Sequence, residues 1–401
     1  MANRRLLETQ SDRIEMVLSS HKAPARVTGG VVTPRAVQFH LAPALGTKVS
    51  KVQSLADELA LALGVPNVRV SRQGNTMQIQ VPRDDAQPVR LLPLMARLAG
   101  QPASPPKDRS AYREKEAHTS FSLPPFTAVL GLCDDGAPLL MRLTSPDVAH
   151  VLISGTTGSG KTALCQTMIL SLAMTHRRSQ LQLVLVDPKR RAFAPFASLP
   201  HLLWPLIDNA ADAAAALGEL VKLMDARSVQ DHAAPSANGQ TPPTPCIIVV
   251  LDELADLMQA SGKSQGQVAG KPLGEHLTRL AQRGREAGIH IIACTQKPSS
   301  QVVGTLIRAN FPARLVGKVV TPEDARVAAG IGGTGAERLT GRGDFVAVAA
   351  GQVLRFKGAY ASPAEIDQVV AQMGSVPRRW DLRQGRPSLL HQAVALVART
   401  S

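Results

Sequence analysis

One stretch constrains this chain more than any other: His150-Val151-Leu152-Ile153-Ser154-Gly155-Thr156-Thr157-Gly158-Ser159-Gly160-Lys161-Thr162. An apolar run leads into a glycine-rich turn, and Lys161-Thr162 opens a helix with apolar Leu164, Met168 and Leu172 on its periodic positions. That is G-x-x-x-x-G-K-[ST] in the strand-to-helix setting a phosphate-binding loop requires. Gly155, Gly158 and Gly160 let successive backbone N–H groups curl around phosphate oxygens, with Thr156, Thr157 and Ser159 between them. The helix N-terminus adds its positive dipole end. Lys161 is expected to reach the β- and γ-phosphates of ATP, and the Thr162 hydroxyl to hold Mg²⁺.

A second half for such a site lies downstream. Cys246-Ile247-Ile248-Val249-Val250-Leu251 is a continuous apolar run, the pattern of a strand buried on both faces, and it ends on Asp252-Glu253. Packing alone explains two carboxylates at a strand end poorly. Beside a phosphate loop, Asp252 is expected to bind Mg²⁺ largely through water, and Glu253 to polarise the attacking water. Ile289-His290-Ile291-Ile292-Ala293-Cys294-Thr295-Gln296 reads as another buried strand with a polar end. Ligands of open parallel sheets sit beyond the carboxyl ends of the strands, so Gln296 faces the same crevice on this reading.

Around these motifs the chain divides by composition. Residues 1–20 read as an N-terminal helical segment, with Ile14, Val17 and Leu18 at helical spacing. Residues 21–98 read as a small α+β domain of strands and capped helices with no chemistry of its own. Residues 99–120 are proline-rich and charged, a linker. Residues 121–374 alternate strands with helices, predicting an α/β fold with a mostly parallel sheet. Residues 375–401 form a tail. Asp231–Pro245 has no periodicity and receives no assignment, and the flexible, basic insertion from Ser261 to Pro272 suits a solvated loop or a DNA contact.

Charge narrows the partner class. The chain carries 45 basic and 31 acidic residues, a net charge of +14, which favours a polyanion such as nucleic acid. Cys133, Cys165, Cys246 and Cys294 lie far apart with no C-x-x-C pair, so they read as buried reduced thiols of a cytosolic protein rather than a zinc or disulfide framework. The N-terminus lacks the apolar core of a signal peptide, and no uncharged apolar run approaches the roughly 18 residues of a membrane span. A cytoplasmic location is the expectation.

Together these residues resemble the motor of the FtsK/SpoIIIE DNA translocases. Gly155–Thr162, Val186-Asp187-Pro188-Lys189, Leu251–Met258, Leu280–His290, Thr295-Gln296-Lys297-Pro298-Ser299, Leu306–Arg314 and Gly335–Asp344 occur in the family's order across about 121–360. Gly-Gly-Val-Val-Thr at 29–33 and the segment Leu41–Ser50 more loosely resemble its α subdomain. The resemblance implies a RecA-like core, a homohexameric ring and ATP-driven pumping of double-stranded DNA, in chromosome or plasmid transport. It also implies that a neighbouring subunit supplies an arginine to the γ-phosphate, with Arg314 as first candidate and Arg285 as second. Lys189 matches a family position near the ligand edge, without an assigned role. Pro387–Thr400 resembles only the first helix of the family's C-terminal winged helix, and the transmembrane helices of its anchored members are not found in this sequence. A motor of conjugative plasmid transfer and a secretion-system ATPase share these motifs. A DNA-binding scaffold switched by nucleotide, without turnover, is a different class that Glu253 and Gln296 argue against.

Overall fold

A computed structural model describes residues 2–32, 36–73, 76–83, 88–99, 123–231, 244–263, 270–296 and 309–374. The linker, most of the two insertions, Lys297–Arg308 and the tail lie outside these residues. The chain forms two units, one of Met1–Pro88 with Asp134–Ala137, the other of Val89–Cys133 with Pro138–Ser401.

In the first unit, β1 (Ala25–Val32), β2 (Ala36–Pro43), β3 (Arg69–Gln73) and β4 (Thr76–Pro82) make an antiparallel sheet of order β1-β2-β4-β3. Strand β4 alternates its apolar Met77, Ile79 and Val81 inward. They pack with Phe39 and Leu41 of β2 and with Leu59 and Leu63 of helix α3 (Ala56–Leu63). Helix α1 (Ala2–Ser20) joins this core through Ile14 and Leu18, so it is part of the unit and not a separate segment. Helix α2 (Val49–Ser54) completes it through Val52. Helix α4 (Leu91–Leu98), expected in the small domain, belongs to the second unit: Leu91, Leu94 and Met95 are buried in that unit's core.

The second unit is built on a nine-stranded sheet of order β6-β5-β13-β12-β11-β7-β10-β9-β8. Its parallel half comprises β7 (Val151–Ser154), β8 (Leu181–Val186), β9 (Cys246–Leu251), β10 (Ile289–Thr295) and β11 (Ala313–Val316). These strands are apolar on both faces because helices cover both. The other half is antiparallel: β5 (Thr127–Cys133), β6 (Pro138–Arg142), β12 (Asp344–Ala349) and β13 (Gln352–Gly358). The mostly parallel sheet expected from sequence is therefore a mixed one, because β5–β6 and β12–β13 are hairpins and not crossover units.

Helix α5 (Lys161–Thr175) follows β7 and is apolar around most of its circumference, burying Leu164, Cys165, Met168, Ile169 and Leu172. Helices α6 (Ala210–Asp231), α7 (Leu254–Lys263) and α8 (Gly270–Arg283) pack over the opposite face through Leu217, Leu220, Leu257, Leu277 and Leu280. Helices α9 (Pro322–Ala329) and α10 (Pro363–Gln372) follow β11 and β13, each with a side-chain N-cap, Thr321 and Ser362 respectively.

Strand register positions the site. Ser154, Thr295 and Val316 are side by side, as are Leu251 and Val186 one strand further on. Every parallel strand thus ends at one edge, and Gly155, Asp187, Asp252, Gln296 and Gly317 are the residues that follow.

Candidate active site

The loop from Gly155 to Gly160 leaves β7 and turns into α5 in the left-handed backbone region at its glycines. Gly160 is required twice over: its φ is 102°, and a Cβ there would lie 2.7 Å from the backbone nitrogen of Gly343. The Lys161 ammonium folds onto its own loop, donating to the carbonyls of Gly155 (2.7 Å) and Thr156 (2.9 Å). Burial pulls its pKa down, partly offset by Cys294, Glu253 and Asp252. A phosphate is a stronger acceptor than those carbonyls, being charged, and competes for the same ammonium. Thr162 follows, half-buried, on the first turn of α5.

Two segments that sequence reasoning did not place in the site build its wall. Gly317-Lys318 continues β11, and the Lys318 carbonyl accepts both the Thr156 N–H (2.8 Å) and its hydroxyl (3.0 Å). From the other side, the Arg342 N–H donates to the Gly158 carbonyl (3.0 Å) and the Gly343 N–H to that of Ser159 (2.7 Å). That second segment is anchored by Asp344, fully buried, which accepts from the Thr340 N–H and hydroxyl and from the Arg355 guanidinium (2.6 Å). Arg342 holds φ at 51°, uncommon for a side chain-bearing residue, to make its bond. The available signal was Gly341-Arg342-Gly343-Asp344, whose glycines mark a turn with no visible destination.

The acidic end of β9 meets the loop from the side. Asp252 is held by its N–H on the Val186 carbonyl (2.9 Å). Burial, then neighbouring Asp187 and Glu253, raise its pKa to about 6 against the pull of Lys189 and Lys161. Asp187 itself is committed to the turn after β8, accepting the N–H groups of Lys189 (3.1 Å) and Phe193 (3.0 Å). Lys189, given no role from sequence, pairs with Asp256 on the first turn of α7 (2.8 Å), and this pairing raises its pKa. Glu253 sits at φ 48° with 5% exposure, and its carboxylate accepts the Gln296 N–H (3.2 Å) and, at 3.5 Å, the Thr295 hydroxyl. Gln296 in turn accepts the Thr157 hydroxyl at 2.8 Å. Phosphate loop, β9 end and β10 end are thus joined through Gln296, whose side chain meets Thr157 and whose backbone N–H meets Glu253.

The oxygen donors Thr162 and Asp252 suit a hard cation such as Mg²⁺, and the burial that makes the Asp252 anion costly is what a divalent ion would relieve. Among the described residues no cluster of three or more His, Cys, Asp or Glu side chains forms a closed metal cage. An ion here would take its remaining ligands from phosphate and water.

The two arginine candidates fare differently. Arg314 is 6% exposed on β11, in register with Leu152, and its guanidinium faces the Val327 and Ala328 carbonyls at the end of α9, at 3.5 and 3.4 Å. It covers the negative end of a helix dipole in its own chain. Arg285 is exposed in the turn between α8 and β10, at the amino edge of the sheet, opposite the phosphate loop. It cannot serve its own site, and an arginine acting across a subunit boundary need not.

Residues 112–231 and 229–300 match the FtsK/SpoIIIE family, and residues 2–83 match the FtsK alpha domain. The DNA translocase SftA of Bacillus subtilis is 32% identical over 385 residues, covering 92% of this chain and 37% of SftA. The DNA translocase FtsK of Lactiplantibacillus plantarum is 33% identical over 385 residues, covering 91% of this chain and 44% of its own length. The chain thus spans less than half the length of these curated relatives. Among solved structures, the pCW3 conjugation coupling protein TcpA, in a monomer form with ATPγS, superposes with a TM-score of 0.56 at 16% identity, over 91% of this chain and 99% of that one. The cytoplasmic domain of the Thermomonospora curvata type VII secretion ATPase EccC gives 0.55 at 23% identity, over 75% of this chain and 36% of its own. Both likenesses concern the fold.

Proposed function

Because this chain belongs to the FtsK/SpoIIIE family, we propose that it hydrolyses ATP with Mg²⁺ and uses the cycle, as a ring of identical subunits, to move double-stranded DNA. The observation that carries this reading is the convergence of the phosphate loop, Asp252-Glu253 and Gln296 at one sheet edge, linked through Thr157, Gln296 and Glu253. A pure nucleotide switch has no need of a buried glutamate at the end of β9.

In this mechanism the loop N–H groups and Lys161 bind the phosphates and stabilise charge that develops on them. Thr162 and Asp252 would hold Mg²⁺, which when bound would supply charge neutralisation to the phosphates. Glu253 accepts a proton from the attacking water, its carboxylate oriented by the Gln296 N–H. Gln296, tied to Thr157, reports whether a γ-phosphate is present. Arg314 is the first candidate for the arginine given in trans and Arg285 the second. The surplus of +14 supports contacts to the phosphate backbone that depend on salt and little on base sequence. No helix among the described residues is long and apolar enough to cross a membrane, and the motor is proposed to act on DNA in the cytoplasm.

The test is the steady-state ATPase rate with and without linear duplex DNA, at low and moderate salt. Strong stimulation by duplex that fades with salt is expected. Turnover indifferent to DNA would replace this reading with that of a secretion ATPase, and DNA binding without turnover with that of a scaffold.

A further inference from the structure

Behind the phosphate loop, two cysteines 129 positions apart in sequence meet. The Sγ atoms of Cys165 and Cys294 lie 2.9 Å apart, both side chains fully buried in the same core cluster. Cys165 is one helical turn beyond Lys161, and so on the same face of α5. Cys294 lies on β10, two residues before Gln296. The contact therefore joins the helix that carries the phosphate-binding lysine to the strand whose end carries the residue bonded to Thr157. The other two cysteines are elsewhere: Cys133 at the end of β5, half-buried, and Cys246 at the start of β9.

Small size and weak polarity let buried cysteine pack as a hydrophobe, and a single such residue would call for nothing more. Two thiols in direct contact are a different chemical object, since little motion separates them from a covalent bond. We propose that Cys165 and Cys294 form an oxidative modification site, at which a peroxide-class oxidant closes a disulfide that locks α5 to β10 and stops turnover while nucleotide still binds. The lock rests on the ATP-hydrolysing reading of the site, whereas the disulfide does not. In the first step one thiol gives up its proton, its thiolate attacks a peroxide oxygen, the O–O bond breaks, and a sulfenic acid forms while the departing hydroxide takes up that proton as water. In the second step the other thiol attacks the sulfenic sulfur, the S–S bond forms, and a second water leaves with the remaining protons. Two thiols lose two electrons in all, and hydrogen peroxide gains them.

Burial and the Cys165 contact push the Cys294 thiol well above its ordinary pKa, so the closed site reacts slowly. Reaction then runs through local opening of α5 from β10, the separation that the bond would afterwards prevent. Binding needs only the cradle and Lys161, which lie on α5 and its preceding loop. Turnover needs that cradle to keep or change its position against Gln296 and Glu253, and sub-ångström misplacement of reacting groups is enough to cost on the order of tenfold or more in rate.

The full chain carrying Cys133→Ala, to prevent linkage between molecules, is treated with hydrogen peroxide under native conditions. Its disulfides are mapped by mass spectrometry of non-reduced peptides. A Cys165–Cys294 peptide is expected, with a fall in ATPase rate on the order of tenfold or more, unchanged binding of a fluorescent ATP analogue, and recovery with dithiothreitol. Cys294→Ala and Cys165→Ala, each in that background, are expected to keep full rate after the same treatment. Native protein that is oxidised without the Cys165–Cys294 peptide would overturn the site, and the peptide without a change in rate would overturn the lock. If the reduced protein hydrolyses no ATP, the functional reading above fails. The modification is then judged by the mapped peptide and by slowed hydrogen exchange in α5 on oxidation, absence of either counting against it.

Discussion

Substituting Asp344 by alanine tests whether the hidden wall of the phosphate loop matters. The Asp344 carboxylate is fully buried and accepts four hydrogen bonds, two from Thr340 and two from the Arg355 guanidinium, whose side chain is 20% exposed. Removing one partner of such a buried pair costs about 3–5 kcal/mol. Because Arg355 keeps some access to water, the lower end applies, about 3 kcal/mol. For a unit of this size that lowers the melting temperature by roughly 6–12 °C. The cost has a second destination. Thr340 loses its acceptor, the turn at 341–343 loosens, and the N–H groups of Arg342 and Gly343 no longer hold the Gly158 and Ser159 carbonyls. Nucleotide affinity is expected to fall by about tenfold, equivalent to the loss of one or two net hydrogen bonds. The assay is urea and thermal unfolding of wild type, Asp344→Ala, Arg355→Met and the double variant, with binding of a fluorescent ATP analogue measured on each. The double variant is expected to be more stable than the sum of the singles predicts, because the two side chains are in direct contact. A loss below about 1 kcal/mol for Asp344→Ala, or strict additivity in the cycle, would refute the argument that this pair anchors the wall.

Lys161→Ala is expected to abolish ATP binding measured by fluorescence, since the ammonium that the loop holds in place is lost; unchanged affinity would remove the loop from its assigned role. Glu253→Gln keeps the hydrogen-bonding shape but not the base, so it should bind ATP and turn over at least on the order of a hundredfold more slowly, as read by phosphate release. Arg314→Ala is expected to cost about 1–2 kcal/mol of stability through the end of α9; recovery of turnover on mixing with Lys161→Ala subunits assigns it the trans role, and no recovery leaves that role to Arg285. Arg285→Ala should unfold like wild type, lose turnover, and recover some when mixed, because the two lesions can occupy different subunit boundaries. Asp252 titrates near 6 in the folded chain against 3.8 as its ordinary value, so the native state holds that proton more tightly. Its contribution to stability is complete below about pH 4 and lost as pH rises through about 6, at most about 3 kcal/mol in the nucleotide-free protein. Asp252→Asn should flatten the unfolding free energy across that window, and an unchanged slope would show that Asp252 ionises normally.

The parts of the site that were legible in sequence share one physical property: their chemistry is local. A phosphate loop must place glycines, lysine and hydroxyl within one turn of chain, and a doubly covered parallel strand must be apolar until it reaches the edge where ligands sit. Gly155–Thr162, Asp252-Glu253 and Gln296 are therefore visible as residue patterns, and register brings them together because every parallel strand ends at the same edge. The illegible parts depend on pairing between distant segments. Arg314 stands on a motif, and its contact with the last carbonyls of α9, which lies beyond it in the chain, is not visible there. Gly341-Arg342-Gly343 looks like a surface turn until β12 and β13 carry it alongside the phosphate loop. Helix α4 has the composition of the small domain's helices, and only its burial against the second core assigns it. Cys165 and Cys294 carry no spacing signal at all, because the i to i+4 step from Lys161 and the two-residue step to Gln296 acquire meaning only once α5 lies on β10. The same feature ties the nucleotide site to the rest of the sheet. The loop's backbone is held by two segments, 317–318 and 341–343, that continue into β11 and β12. A displacement of the loop would therefore pull on β11, the last strand of the parallel half, and on β12, the antiparallel strand beside it. Strands packed at native density pass such a displacement on rather than absorb it.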